Sequence, residues 1–539
     1  MTHDVFNQAD PLTGHDVSAD AALMDGVDRE GAGWATGELR RLGLLAGSEQ
    51  AQEWGRLANE HPPVLRTHDR YGRRIDEVEF HPAWHELMTV AVGNGMHATP
   101  WTSARPGAHV ARAAKFYLWS QVEAGHGCPI SMTYASIAAL RHSPVLAAEW
   151  EPLLASRSYD FGLRPPLGKR GVLAGMAMTE KQGGSDVRAG TTRAEPLSDG
   201  SYLLTGHKWF NSAPMCDVFL VLAQAPGGLS CFLLPRILPD GTRNAVQLMR
   251  LKEKLGNRSN ASAEVEYHGA TAYLVGEEGR GVRTILEMVN MTRLDCVIGS
   301  AAGMRYGVTR AVHHARHRAA FGRKLADQPL MRNVLADLSL ESEAATVLMT
   351  RLAGATDRAI AGDRAEAALR RTALAVSKYW VCKRAPAHAA EALECLGGNG
   401  YVEESQMPRL FRESPLNGIW EGSGNVAALD VLRALGREPE AQEAFFAEVS
   451  LASGADRHLD AAVDRLRKSL DDTTDIEARA RRVAEDMALV LQGSLLVRLA
   501  PTAVADAFCV SRLSGDAGRA FGTLPPGLDL DVLVERASY

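Results

Sequence analysis

Two short runs of this chain hold side chains whose types and spacing suit chemistry. They are Met178-Thr179-Glu180-Lys181-Gln182-Gly183-Gly184-Ser185-Asp186 and Gly206-His207-Lys208-Trp209-Phe210-Asn211-Ser212. The first sets hydroxyls at Thr179 and Ser185 around Gly183 and Gly184, so backbone N–H groups can close on a bulky anion without Cβ interference. The second sets a flat aromatic, Trp209, beside the small polar Asn211 and Ser212, the means to stack on a ring and hydrogen-bond its edge. Together they point to a planar, phosphate-bearing cofactor, although Gly-Gly-Ser-Asp alone is also an ordinary turn. A third run, Ile419-Trp420-Glu421-Gly422-Ser423-Gly424-Asn425, precedes an apolar helical pattern at Val426, Leu429 and Leu432. A carboxylate beside Trp and Gly at a helix start can be desolvated, which raises its pKa toward the range of a general base. Taken alone, Glu421 is simply an acid placed favourably at a helix N-terminus.

The elements around these runs change character along the chain. Residues 1–35 are rich in Asp, Gly and Ala and read as an extended arm. Residues 36–175 repeat helical patterns, as at Val110, Ala113, Phe116, Trp119 and Val122, separated by Pro and Gly. Residues 176–282 read as a β domain. Tyr202 to Gly206, Val218 to Leu222, Cys231 to Pro235 and Ser262 to Tyr267 are short strands with turn residues between them. Residues 283–436 return to long helices, one of them starting at Pro329 in the favoured first helical position. Another stops at Gly397-Gly398. Residues 437–539 add further helical periods, such as Leu459, Val463, Leu466 and Leu470. The fold class is α+β: a helical domain, a β domain, a helical bundle and an extra C-terminal helical domain.

At 539 residues with a net charge of −6, the chain has no general attraction for nucleic acid or an anionic membrane. Its seven cysteines are scattered with no CxxC, the pattern of a reduced, intracellular protein without disulfide frame or zinc site. The polar, acidic start is unlike a signal peptide, and the apolar runs are too short to span a bilayer. A cytoplasmic location with no membrane partner is expected. His313, His314 and His317 contain an i,i+4 pair, but no carboxylate or Cys completes a metal site nearby, so no metal is expected. Arg70, Arg73 and Arg74 read as a solvated turn around Gly72.

The order of the motifs resembles the acyl-CoA dehydrogenase family of flavoproteins, and more closely its AidB-like, alkylation-response branch. The family's [LM]-T-E-x-x-[AG]-G-S-D run is Met178 to Asp186, and its K-W-hydrophobic run is Lys208 to Phe210. R-x-x-F-G with a downstream Gln is Arg318 to Gly322 and Gln328; L-G-G-N-G-[YF] is Leu396 to Tyr401; E-G-[ST] is Glu421 to Ser423. These cover roughly residues 40–436. Marks of the branch are Val5-Phe6-Asn7-Gln8, Arg29 to Trp34, Phe80 to His85 and Lys254 to Asn260, and the extra domain after Gly436 fits it too.

The resemblance implies FAD held between the β domain and the following helices. Met178, Thr179, Gly184 and Ser185 would line the flavin and pyrophosphate, with Trp209, Phe210, Asn211 and Ser212 along the ring. Arg318, Phe321, Gln328, Gly397 and Gly398 would reach FAD of a neighbouring subunit in a homotetramer built as a dimer of dimers. Trp420, Gly422, Ser423 and Asn425 would lie by the cofactor around Glu421. Glu421 would remove the acyl α-proton of an acyl-CoA while hydride leaves the β-carbon for the flavin. The family's alternative base on an earlier helix precedes an Arg; here that pair is Thr292-Arg293, which leaves Glu421. Two positions depart from the pattern. Trp-Ile-[Thr/Ser]-Asn reads Trp209-Phe210-Asn211-Ser212, and Glu-Gly-Thr-x-Gln reads Glu421-Gly422-Ser423-Gly424-Asn425, so an altered pocket and weak acyl-CoA turnover are expected.

AidB-like proteins are held to bind double-stranded DNA, and the added domain is the expected contact. Residues 438–539, however, hold 11 Lys and Arg against 18 Asp and Glu. Binding would need arginines gathered on one face, with Arg512 and Arg519 the expected contacts and Arg479 and Arg482 sharing a helix face. Two functions therefore stand: a flavoprotein that protects DNA from alkylation, with weak acyl-CoA dehydrogenase activity, and a metabolic acyl-CoA dehydrogenase whose terminal domain is structural.

Overall fold

The computed structural model describes residues 2–103, 105–514 and 518–538. The chain opens with α1 (Ala21–Arg29), α2 (Thr36–Ala46), α3 (Glu49–Glu60), a hairpin β1 (Val64–His68) and β2 (Arg74–Glu79), α4 (Pro82–Gly93) and α5 (Thr99–Thr102). Then come α6 (Ala108–Ser120), α7 (Gly127–Leu140) and α8 (Pro144–Leu154). The β region holds β3 (Ala174–Ala177), β4 (Arg193–Pro196), β5 (Tyr202–Ser212), β6 (Val218–Ala225), β7 (Gly228–Pro235), β8 (Val246–Leu251) and β9 (Ser262–Val275). After α9 (Gly281–His317) and a two-residue hairpin, β10 (Ala319–Ala320) and β11 (Arg323–Lys324), the rest is helical. It comprises α10 (Pro329–Ile360), α11 (Arg364–Glu394), α12 (Met407–Glu413), α13 (Gly424–Arg437), α14 (Pro439–Ser450), α15 (Arg457–Asp471), α16 (Ala480–Leu499), α17 (Thr502–Phe508) and α18 (Leu530–Arg536).

Contacts divide the chain into two units that do not follow consecutive segments. One joins Gln50–Arg105 to Val122–Asp295. Its centre is the β region, whose strands pair in the order β3-β6-β4-β5-β9-β7, with β7 returning to β6 and β8 alongside β9. That return closes five strands into a small barrel and leaves few free edges. The apolar run Val218 to Leu222 is buried throughout, as a strand covered on both faces should be. The strands expected from Tyr202, Val218, Cys231 and Ser262 are all present.

The other unit joins Met1–Glu49, Pro106–Gln121 and Cys296–Tyr539. Its axis is α10, buried from Leu335 to Thr356 and packed against α1, α6, α11, α16 and α18. Carboxylates buried along α10 each meet an arginine: Asp337 with Arg512, Glu341 with Arg384 and Arg512, Glu343 with Arg536. Residues 437–539 belong to this same unit, with α16 laid against α10, α11 and α13.

Two stretches differ from expectation. The supposed arm contains α1, capped by the Asp20 side chain, which accepts from the Leu23 N–H. Its small residues serve close packing: a Cβ on Gly26 would lie 2.6 Å from Thr350 Oγ1 of α10. The nominally helical segment around Arg70 holds the β1–β2 hairpin, with Gly72 at φ +80° and the Asp69 carboxylate accepting from the N–H groups of Tyr71 and Arg73. The turn was legible there; its flanking strands, mostly charged, were not. Among the described residues no helix is long and apolar enough to cross a membrane.

Candidate functional site

Each unit carries its own share of the motif residues. In the barrel unit, β3 delivers the chain into Met178 and Thr179, both half-buried, and then into the exposed turn Gly183 to Asp186. Gly183 has φ +138°, a conformation that glycine adopts without strain. A Cβ on Gly184 would lie 2.5 Å from Thr179 Oγ1, so the turn closes on the threonine only because the residue is glycine. The Trp209 N–H donates to the Thr179 carbonyl at 2.8 Å, which brings the two motifs side by side.

A bulge makes that bond available. Lys208 pairs with Val265 and Asn211 with Ala263, so Trp209 and Phe210 together face the single residue Glu264. An extra residue of this kind re-aims side chains and frees backbone groups. Trp209 is half-buried and Phe210 is 47% exposed. Cations ring the pair: the Lys252 ammonium lies 3.2 Å from the Trp209 ring centre and 4.8 Å from that of Phe210, with Lys181 at 5.6 Å and Arg250 at 6.0 Å from Trp209. Glu264 balances part of this charge, at 2.6 Å from Lys252 and 2.7 Å from Arg250.

Sequence reasoning missed the bolt under these loops. Glu180, inside the first motif, is buried and accepts from Lys208, inside the second, at 2.8 Å. It also accepts from the Thr191 and Thr192 N–H groups and from Gln182. Burial alone would raise its carboxyl, but the Lys208 ammonium and these donors outweigh it and hold the carboxyl well below the usual carboxylate range. The signal was present in the sequence: the first motif holds the acids Glu180 and Asp186, and the second holds the base Lys208.

In the helical unit, Arg318 follows α9 and donates to the Asn7 carbonyl at 2.6 Å, while Gln328 donates to the Ala320 carbonyl at 3.1 Å. Phe321, at the tip of β10–β11, has φ +52° and is 99% exposed. Asn7 exchanges two hydrogen bonds with Ala319, at 2.9 and 2.7 Å, and Gln8 accepts from Asn399 at 3.2 Å. The N-terminal residues Asn7 and Gln8 thus border both the hairpin and the Gly397-Gly398 turn. A Cβ on either of those two glycines would meet nothing within 4 Å.

Glu421 sits in the turn before α13, with φ +57°, and Gly422 follows at φ +107°. A left-handed non-glycine residue is strained and persists only where its surroundings impose it. Trp420 Nε1 donates to Asn417 at 2.9 Å, and Asn417 donates to Ser300 of α9 at 3.2 Å. Ser300 meets the Cys382 thiol of α11 at 3.4 Å, and buried Lys378 of α11 donates to the Gly422 carbonyl. Ser423 is the N-cap of α13, and the Asn425 carboxamide oxygen accepts from Arg481 of α16 at 2.8 Å. The added C-terminal helices thus hold the Asn425 carboxamide oxygen.

Arg512 is not the surface cation expected of it. Its guanidinium is 14% exposed and pairs with Asp337 and Glu341 of α10, so it locks the added helices to the bundle and is unavailable to phosphate. Arg479 donates to the Ser469 and Asp472 carbonyls, whereas Arg482 stays exposed and pairs with Asp486 at 3.2 Å. Arg519 is exposed.

The exposed glycine turn with its hydroxyls, the bulged aromatic pair and the surrounding cations fit a planar, anionic cofactor, and FAD meets that description. Family comparisons agree with the geometry. Residues 7–161 match the N-terminal domain of the adaptive response protein AidB; residues 175–270 and 279–436 match the middle and C-terminal domains of acyl-CoA dehydrogenases. The chain belongs to the acyl-CoA dehydrogenase family, in its AidB-like branch, a family of FAD proteins.

It is 49% identical to the AidB protein of Escherichia coli (strain K12) over 512 residues, 94% of each chain. Acyl-CoA dehydrogenase family member 11 of Caenorhabditis elegans is 31% identical, over 85% of this chain and 79% of that one. The crystal structure of C. elegans ACDH-11 in complex with C11-CoA superposes with a TM-score of 0.86 at 28% identity, covering 100% of this chain and 93% of that one.

Proposed function

We propose that this chain is an FAD-dependent dehydrogenase of a CoA thioester, with Glu421 as the base that takes the α-proton. The observation that carries this reading is the Glu421 turn: a carboxylate held in a strained conformation by two helices, in a chain whose other motifs form a cofactor cradle. Strain of this kind gathers at functional sites. Thr179, Gly184 and Ser185 would hold the cofactor phosphates through hydroxyls and N–H groups, and Met178, Trp209 and Phe210 would cover the ring. Asn211 and Ser212 would stand at its edge. FAD, when bound, accepts the hydride equivalent from the substrate β-carbon. The α-proton passes to the Glu421 carboxylate. Arg318, Phe321, Gln328 and the Gly397-Gly398 turn would reach a neighbour's cofactor in a homotetramer, a role supported by their lying on exposed loops beside the exposed apolar residues Phe6, Leu330 and Tyr401.

Glu421→Gln tests the reading. It should keep FAD and fold, yet lose bleaching of the flavin by butyryl-CoA or undecanoyl-CoA under anaerobic conditions, because an amide cannot accept the proton. A variant that bleaches as fast as wild type, or a wild type that bleaches with neither thioester, sinks it.

A second reading, binding of double-stranded DNA and its protection from alkylation, is supported by the likeness to AidB over 94% of the chain. The pairings of Arg512 and Arg479 weigh against the contact first expected and leave Arg519 and Arg482. Binding through phosphates would fall steeply with salt. Absence of a duplex shift at low salt would leave the metabolic reading alone.

A further inference from the structure

Lys378 is a lysine with no ordinary reason to be where it is. It lies in the middle of α11, 2% exposed, and the Gly422 carbonyl is its hydrogen-bond acceptor. Among the described residues no carboxylate stands in ion-pair range of it. Burying an ammonium without a counter-charge is expensive, and a chain that served only packing would place an apolar residue there. The carbonyl that receives it belongs to the residue after Glu421, in a turn where φ is positive at Glu421 and at Gly422 in succession.

We propose that Lys378 is a positioning residue for Glu421: its ammonium holds the Gly422 carbonyl and thereby keeps the carboxylate presented from the left-handed turn. This rests on the reading of Glu421 as the base. The neutral bonds of the same turn, from Trp420 through Asn417 and Ser300 to Cys382, fix where the loop lies; the charged bond fixes which way the Glu421–Gly422 peptide faces. A charge-assisted bond is roughly twice as strong as a neutral one, enough to hold a strained residue. The ammonium also puts a positive charge one residue from the carboxylate, which favours its ionised form. Ionisable groups near the turn include the Cys382 thiol and the Tyr379 hydroxyl on α11, both pushed up by burial, with Lys383 and Arg481 lying against Gly424.

The test compares K378M, K378R and E421Q as FAD-loaded full-length proteins, with undecanoyl-CoA as the probe. K378M should bind the thioester as wild type does but reduce flavin roughly ten- to hundredfold more slowly, a part of the 10²–10⁴ that a placed base contributes. The midpoint of its pH profile should move upward, because the base has lost a neighbouring positive charge. K378R, which keeps the charge and a donor, should recover much of the rate. A crystal structure of K378M should show Glu421 outside the left-handed region. If K378M does not fold, K378Q takes its place with the same expectations. A K378M or K378Q that keeps the Glu421 conformation, the rate and the midpoint overturns the proposal, provided E421Q is inactive. An E421Q as fast as wild type overturns the base assignment instead.

Discussion

Glu180 shows how much one carboxylate can carry. Its partner Lys208 is 1% exposed, so Glu180→Gln would strand a buried ammonium, a loss of about 3–5 kcal/mol. Thermal unfolding should register it, and FAD content should fall because Thr179 and Trp209 are the residues on either side of the pair. The same group sets an acid limit. Its carboxyl is held below the unfolded value near 4.3, so its contribution is complete above that value and is lost as pH falls toward the folded one. Glu123 and Glu341, each lowered to about 2 against their burial by His126 and by Arg384 and Arg512, act in the same window. Melts between about pH 5 and pH 2 should show wild type losing stability steeply and Glu180→Gln less so. A parallel slope would refute the assignment. Gly184→Val belongs to this scale as well: with 2.5 Å from a Cβ to Thr179 Oγ1, the turn must open, and purified protein should hold less FAD.

At the scale of elements, the added helices behave as part of the bundle. Arg512→Ala would leave Asp337 and Glu341 short of a cation inside α10, again about 3–5 kcal/mol, whereas Arg519→Ala should leave the melting temperature unchanged. Equal melting temperatures for the two variants would show that the pairing is not structural. This contrast marks what the sequence made legible. Period and turn residues were enough for β5, β6, β7 and β9 and for α9, α10, α11, α15 and α16, because those segments repeat a pattern over their own length. The cofactor motifs were legible for another reason: their residue types and their order along the chain resemble the family's. The partner of Arg512 lies 175 residues away, and a surface arginine and a buried one look alike in a row of letters. The bulge at Trp209-Phe210, the Glu180–Lys208 bolt and α1 share that cause: each is decided by a neighbour distant in sequence, and alanine and glycine in α1 read as slack until Thr350 is seen against Gly26.

At the scale of the molecule, Phe321 at 99% and Leu330 at 83% exposure are too apolar for solvent alone. Phe321→Asp should leave the fold intact, since the side chain touches little of its own chain, but should lower the mass seen by light scattering and release FAD sooner. A wild-type monomer that holds FAD tightly would contradict this. The composition of the helical unit has a different consequence. It needs α1 and α2 from the start of the chain, α6 from residue 108 onward, and α18, where Arg305 donates to the Arg536 and Ser538 carbonyls. During synthesis the barrel unit can close once residue 295 has left the ribosome, but α1 must wait, its apolar face uncovered, for partners translated more than 300 residues later. Loop closure over such separations is slow. The chain is therefore expected to depend on chaperones that shield its first helices, and a C-terminal truncation before Leu530 should aggregate as a nascent protein even though its cofactor motifs are complete.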